Sequence, residues 1–454
     1  MVALKQEKLL NTAEDAVKSA LKKGAAEAEA YVVESCSTMV GIERGQIAKS
    51  SRVLDQGLGV RAVVNKTVGF SYTNMLGDEK ALEEAVEKAV SAARASKPDK
   101  DWPGFPVKRS FPSVKGGFDK RIVELGSDDL VEIAGLVLDS AEATDKRVIP
   151  VEGGVSASYG YGAVANSNGV AGFDSGTVID CGLATVGNDA GEVTPVCYEL
   201  NTERSYDIDP EWVGREAARL AASSLKAKKV ETKCMTVIFV QTALQELLGF
   251  TLINAVKADY VQRNQSALKG KIGELVASEL VSVYDDGLLE GGLRTGKFDG
   301  EGVPHQRTPI IVKGVLRGFI YDNYTAEKEG KESTGNAARG GYWSTPSLEA
   351  NNFHVVSGSK SNDALVGDVD EGLIVYLLQG AHSSNPASGD FSVVGAPAWK
   401  IEKGEIAYAV KGAMVSGNVF ELLRNVSGLS DAERQVGALV SPWVRVENVK
   451  VIGK

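Results

Sequence analysis

Apolar positions along this chain switch between a period near 3.6 and a period of two, and the switches mark out three units. The first helix stops at Lys23-Gly24, where Lys22 and Lys23 suit the negative end of a helix dipole. Alternating stretches follow: strands over 28–34 and 37–43, a turn at Arg44-Gly45, and a strand from Gln46. Residues 57–64 and 68–73, joined at Asn65-Lys66, read as a hairpin. Leu82, Ala85, Val86, Ala89, Val90 and Ala93 then predict a helix from Asp78 to about Ala95, and the Pro- and Gly-containing stretch 97–106 reads as a linker.

The middle unit, residues 107–230, opens with a helix capped by Ser127, with Asp128 and Asp129 in its first turn. A Gly-rich strand region follows over 148–198, turning at Asn168-Gly169. Asp209-Pro210 starts another helix in the favoured cap-then-Pro order. The third unit, residues 231–454, is mainly β, with hairpin turns at Lys313-Gly314 and Lys403-Gly404. The fold class is therefore α+β: an N-terminal α/β unit, a Gly-rich β-meander with flanking helices, and a β-rich C-terminal domain.

One stretch carries candidate chemistry. Residues 235–240 read as a buried strand, Thr242 as an N-cap, and Leu244, Leu247, Leu248, Thr251, Leu252 and Ala255 as the apolar face of one helix. Gln245-Glu246 and Phe250 fall where a zinc peptidase helix would carry His, Glu and His. From spacing alone, an ordinary amphipathic helix with one Glu in its first turn is the better reading.

Charge and composition remove several classes. Fifty Lys+Arg against sixty Asp+Glu give a net charge of −10, which opposes binding to a phosphate backbone. No apolar run spans a membrane, and the charged amphipathic N-terminus is unlike a signal peptide, which points to the cytoplasm. Cys36, Cys181, Cys197 and Cys234 have no metal-binding spacing and read as reduced thiols. His305, His354 and His382 are scattered, no Gly-x-Ser-x-Gly occurs, and Gly57-x-Gly59 lies inside a strand pattern, where no phosphate loop belongs.

Small Gly/Ser/Asp clusters recur in a fixed order: Phe298-Asp299-Gly300-Glu301-Gly302, Ser333-Thr334-Gly335-Asn336, Ser388-Gly389-Asp390-Phe391-Ser392, Glu402-Lys403-Gly404 and Ser416-Gly417-Asn418. With Arg44-Gly45 and Gly57-Leu58-Gly59-Val60-Arg61, they make the chain resemble the TldD/PmbA family, also named modulators of DNA gyrase, across more than 400 residues. The resemblance is to its PmbA (TldE)-type subunit.

The resemblance implies a two-subunit zinc metalloprotease in which the TldD-type partner supplies the zinc and this chain lacks it. Its three ligand positions would fall on Gln245, Phe250 and Val436, leaving only Glu246 of the motif. Phe250 would then fill the space of the metal, within an irregular turn around residues 248–250. The chain would shape a chamber for extended or unfolded peptide, with Ser333, Thr334, Gly335, Asn336, Ser388, Gly389 and Asp390 as candidate peptide-binding residues. Its partner would be a TldD-type subunit, or a second copy when alone, and neither nucleic acid nor membrane would be bound directly. Two other readings stay open: a gyrase modulator acting through protein–protein contact, and a stand-alone peptidase with a metal site such as His382 with Asp390.

Overall fold

The structure, a computed structural model, describes residues 2–453. It is an α+β protein organised on sheets of seven, six and nine strands, with a further two-stranded one. The N-terminal half runs α1 (Val2–Lys22), β1 (Glu27–Glu43), β2 (Gln46–Val64), β3 (Thr67–Thr73), α2 (Glu79–Ala95), α3 (Lys120–Glu124) and α4 (Ser127–Thr144). It continues through β4 (Val148–Asn166), β5 (Ala171–Asp189), β6 (Glu192–Val193), β7 (Cys197–Glu203) and α5 (Pro210–Ser223).

The strands order β3-β2-β1-β4-β5, with β7 also on β5. β1 and β4 pair antiparallel from Glu29 opposite Asn166 to Glu43 opposite Glu152. The chain before residue 106 and the chain after it thus build one sheet. Side chains alternate across a strand, so one face receives Ala28, Ala30 and Val32 under α1 and α2, and Val40 and Ile42 under α4 and α5. The opposite face of β1, with Glu29, Tyr31 and Val33, looks toward the C-terminal half.

That half begins with β8 (Lys233–Phe239), α6 (Gln241–Phe250), α7 (Leu252–Ala255), α8 (Ala258–Gln262), β9 (Val283–Asp286), β10 (Arg307–Val312) and β11 (Val315–Leu316). Next come α9 (Asn323–Glu327), β12 (Ala337–Ala338), β13 (Ser347–Leu348), β14 (Phe353–Val355), α10 (Asn362–Gly367), β15 (Glu371–Val375), β16 (Leu378–Gln379) and β17 (Asp390–Gly395). The chain closes with β18 (Ala398–Glu402), β19 (Glu405–Ala409), β20 (Ala413–Asn418), α11 (Val419–Arg424), β21 (Val426–Leu429), β22 (Arg434–Val436), β23 (Leu439–Ser441) and β24 (Val444–Ile452). β8 lies central in a nine-stranded sheet between β24 and β15, buried on both faces, as its apolar run requires. Among the described residues, no helix is long and apolar enough to cross a membrane.

Several local expectations change. β1 is one strand, not two, because Ser35 and Cys36 are paired on both sides, with Asp55 and Leu54 of β2 and with Gly160 and Tyr159 of β4. The cap of α4 is Gly126, whose N–H donates to the Asp129 carboxylate at 2.7 Å, while Ser127 is already helical. Thr242 does not cap α6 either: Val240 holds that place, and the Thr242 hydroxyl donates to the Tyr376 carbonyl. The expected irregular turn falls at Thr251, with φ −123° and ψ −83°, one residue beyond the predicted 248–250. There the Asn254 amide donates to the Gly249 carbonyl at 3.3 Å, and the Thr251 hydroxyl donates to the Leu247 carbonyl.

Candidate functional site

A large cavity, about 750 Å³, lies between the free face of the N-terminal sheet and the loops of the C-terminal half. Tyr31 and Val33 line the sheet side, and Arg294, His305 and Arg339 the other. Gly160, Gly162 and Gly176 on the sheet, with Ala337 and Ala338 opposite, keep the walls low enough for a polypeptide backbone to approach.

Two buried devices hold these walls together. Arg61 donates to Glu29 at 2.7 and 2.9 Å and to Glu301 at 2.9 Å, and Arg339 also pairs with Glu29. Burial works against the Glu29 charge, but the two guanidiniums hold its carboxyl below the usual range. Burial lifts Glu301 above its ordinary value despite Arg61. Arg204 is the second device, donating to the carbonyls of Gly117, Gly292, Leu293 and Thr295. Gly57 and Gly59 serve the same interface: a Cβ on Gly59 would stand 2.1 Å from the Tyr342 carbonyl oxygen. That close approach is why the Gly-x-Gly pair occurs inside a strand.

Burial also sets the protonation of groups around the cavity. It pushes His305 down to about 4, so the imidazole is neutral, and leaves its Nδ1 without a partner. Burial, then the nearby Glu301 charge, pushes Asp299 up to about 8. Asp285 is pushed up to about 7 by burial, although it accepts from Asn336 and twice from Asn351.

None of the positions singled out in α6 lines this chamber. Gln245 Oε1 accepts the Leu439 N–H at 3.0 Å, and its amide would stand 3.4 Å from a Cβ on Gly437. Val436 is thus one residue from the Gln245 contact, and Gln435 accepts the Leu293 N–H at 3.1 Å, tying this turn to the cavity wall. Phe250 looks elsewhere. It is 39% exposed and stands edge-on to His382, with ring centroids 6.4 Å apart, so it does not fill an enclosed metal-sized space. Glu246 faces the same histidine; burial raises its carboxyl and the His382 charge opposes that.

Zinc does not fit these residues. The Gln245 oxygen is committed to a backbone N–H, and Phe250 and Val436 have no lone pair to give. Among the described residues no three of His, Cys, Asp or Glu gather as a metal site. His382 lies in the short turn 381–383, while Asp390 accepts from Ser388 and Asn418.

The candidate peptide-binding turns are internally bonded. The Thr334 hydroxyl donates to Asn336 and accepts the Tyr321 N–H, and Asn336 donates to Asp285 and the Glu349 carbonyl. The cavity lining begins one residue later, at Ala337. Ser388, Gly389 and Asp390 close the loop next to His382, away from the large cavity. Sequence reasoning missed the Arg61–Glu29–Glu301–Arg339 cluster and Arg204. Arg61 and Glu301 both stood in motifs already noted, but nothing local links them.

Comparison with known proteins gives the same architecture. PmbA/TldA metallopeptidase domain 1 matches residues 28–93, the central domain 120–225, and the C-terminal domain 232–453. A Methanocaldococcus jannaschii protein without an assigned function is 34% identical over 418 residues, 92% of this chain and 94% of its own. Metalloprotease PmbA of Escherichia coli O157:H7 is 27% identical, covering 95% of each chain. The crystal structure of TldE from Thermococcus kodakarensis superposes with a TM-score of 0.92 at 29% identity, over 97% of this chain and 99% of that one. This chain belongs to the PmbA/TldD metallopeptidase family.

Proposed function

We propose that the chain is a TldE/PmbA-type subunit without its own catalytic zinc, forming one wall of a peptide chamber completed by a TldD-type zinc subunit. The observation that carries this reading is the self-bonded state of Gln245. A side chain where a ligand would stand is spent on the Leu439 N–H, joining α6 to the turn that holds Val436. The helix is kept as a scaffold.

The large cavity supports the peptide part of the role. Its Gly- and Ala-rich walls suit an extended backbone. In this reading the turn at Ser333–Asn336 holds a wall from behind, through the Asn336 amide on the Glu349 carbonyl. The gyrase-modulator alternative draws no separate support from the site.

Co-expression with a TldD-type subunit tests the role. The two should co-elute on size exclusion and hydrolyse unfolded peptide, while this chain alone should not. A zinc subunit that is fully active alone and never co-elutes would overturn the assignment.

A further inference from the structure

The charges lining the large cavity do not balance. Its guanidiniums belong to Arg204, Arg294 and Arg339, and its carboxyl groups to Asp174, Asp299 and Glu349. Most of them are answered within the chain. Arg339 pairs with Glu29, Glu349 with Lys257 at 2.6 Å, and Asp174 with Lys297 at 3.6 Å. Asp299 is turned into its own loop, accepting the N–H groups of Glu301, Val303 and Ala337, and burial keeps it protonated by pushing it up to about 8. His305 is neutral. Arg204 and Arg294 are left over: among the described residues, neither forms a salt bridge. On a chain of net charge −10, this wall carries a positive surplus.

The two arginines differ in what they can reach. Arg204 is 7% exposed and donates only to backbone carbonyls, so it adds positive charge from beneath the surface. Three of those carbonyls, of Gly292, Leu293 and Thr295, flank Arg294 and fix the loop that carries it. The Arg294 N–H donates to Asn352 Oδ1 at 3.0 Å, which holds the same loop from the other side. The Arg294 side chain is exposed at the cavity wall. Its Nη1 donates to the Ala350 carbonyl at 2.9 Å, while its Nε and Nη2 donate to nothing among the described residues. The guanidinium is thus held by one corner on an anchored loop, with two donor nitrogens unspent.

We propose that Arg294 selects peptides by a carboxylate, so that the cavity takes an acidic peptide in preference to a neutral or basic one. The carboxylate meets Nε and Nη2, the side-on fork that a planar guanidinium offers. Arg204 reinforces it at longer range, since a cleft lined by one sign of charge concentrates the opposite sign. The inference rests on the reading of this cavity as a peptide site and adds which peptides it favours. An Asp or Glu side chain and a carboxyl terminus share this chemistry.

Both walls of this cavity belong to one chain, so the full chain alone is the sample. The test titrates the end-capped peptide Ala-Ser-Ala-Glu-Ala-Ser-Ala, its Gln and Lys counterparts, and the Gln peptide with a free carboxyl terminus, by ligand-observed NMR. A carboxylate should tighten binding about 5- to 10-fold over the capped Gln peptide, as for one charge-assisted contact at a partly exposed site. The Lys peptide should bind most weakly. Tighter binding of the Glu peptide would identify a side chain as the source, and of the free-ended Gln peptide a carboxyl terminus. Arg294→Gln should erase the preference, and Arg294→Lys should keep part of it, because the charge stays and the fork does not. Both variants should leave the circular dichroism spectrum unchanged. Equal affinities for all four peptides, or a preference that survives Arg294→Gln, would overturn the proposal and leave the peptide reading standing. Absence of binding by every peptide would overturn both.

Discussion

Arg61 and Glu301 lie 240 positions apart in the chain and 2.9 Å apart in the fold. One is on a strand of the N-terminal sheet and the other in a C-terminal loop, and both side chains are at most 7% exposed. Glu29 and Arg339 complete the cluster, so two carboxylates and two guanidiniums clamp the rim of the large cavity.

Removing one member should therefore cost more than a surface pair would. Arg61→Met leaves Glu301 buried without its cation and should lower unfolding stability by about 3–5 kcal/mol. Glu301→Gln, which keeps the shape, should cost less. Urea denaturation reads both. A loss below about 1 kcal/mol for Arg61→Met would mean that the cluster does not join the two halves.

Gly59→Ala should be more damaging than Gly57→Ala. The new Cβ at 59 meets the Tyr342 backbone at 2.1 Å, whereas at 57 it meets the Tyr342 ring at 2.3 Å, which can turn aside. Overpacking of this kind costs about 1–3 kcal/mol. Thermal melts of the two variants, compared directly, check the order.

Stability should carry opposing pH slopes from two buried groups. Asp285, pushed up to about 7, holds a proton in the folded state that the unfolded chain releases near pH 4. Its contribution is present below about pH 4 and is lost as pH rises through 7, by up to about 1.4 kcal/mol per unit. His305, pushed down to about 4, acts the other way: its contribution is present above about pH 6.5 and is lost as pH falls. Asp285→Asn should make the slope between pH 4.5 and 6.5 more positive, and His305→Gln more negative. Urea titrations across that window would contradict the assignment if either variant left the slope unchanged.

Restoring the ligand types should not restore a zinc site. Gln245 and Phe250 turn to different neighbours, so Gln245→His with Phe250→His and Val436→Cys should still purify with well under one zinc per chain. Elemental analysis decides. Stoichiometric zinc in the triple variant would show that the positions converge after all.

Much of the architecture was readable from period alone. The helix at 79–95, the hairpin at Asn65-Lys66 and the buried β8 follow directly from apolar spacing and turn residues. Other features depend on neighbours that sequence does not name. Ser35 and Cys36 break the alternation of β1, yet pairing on both sides carries the strand through. The bend after α6 rests on the backbone of Thr251 and an amide from Asn254. Ser333 to Asn336 stood out as a small polar cluster, the look of a binding loop, but Asn336 spends its amide on buried Asp285. Residue type alone singled out Gln245, Phe250 and Val436 as positions without zinc donors; the arginine clamps were not legible, since each joins residues that are remote along the chain.

The long pairing of β1 with β4 has a consequence for synthesis. A nascent chain that has just cleared the ribosome through residue 106 holds β1, β2 and β3 but not the strand that covers the other side of β1. Fifteen residues of that edge, Glu29 to Glu43, must wait with open backbone groups until β4 emerges. An exposed edge of that length is a template for pairing with another chain. The early nascent chain is therefore the stage most in need of a chaperone, and expression of residues 1–106 alone should give aggregates.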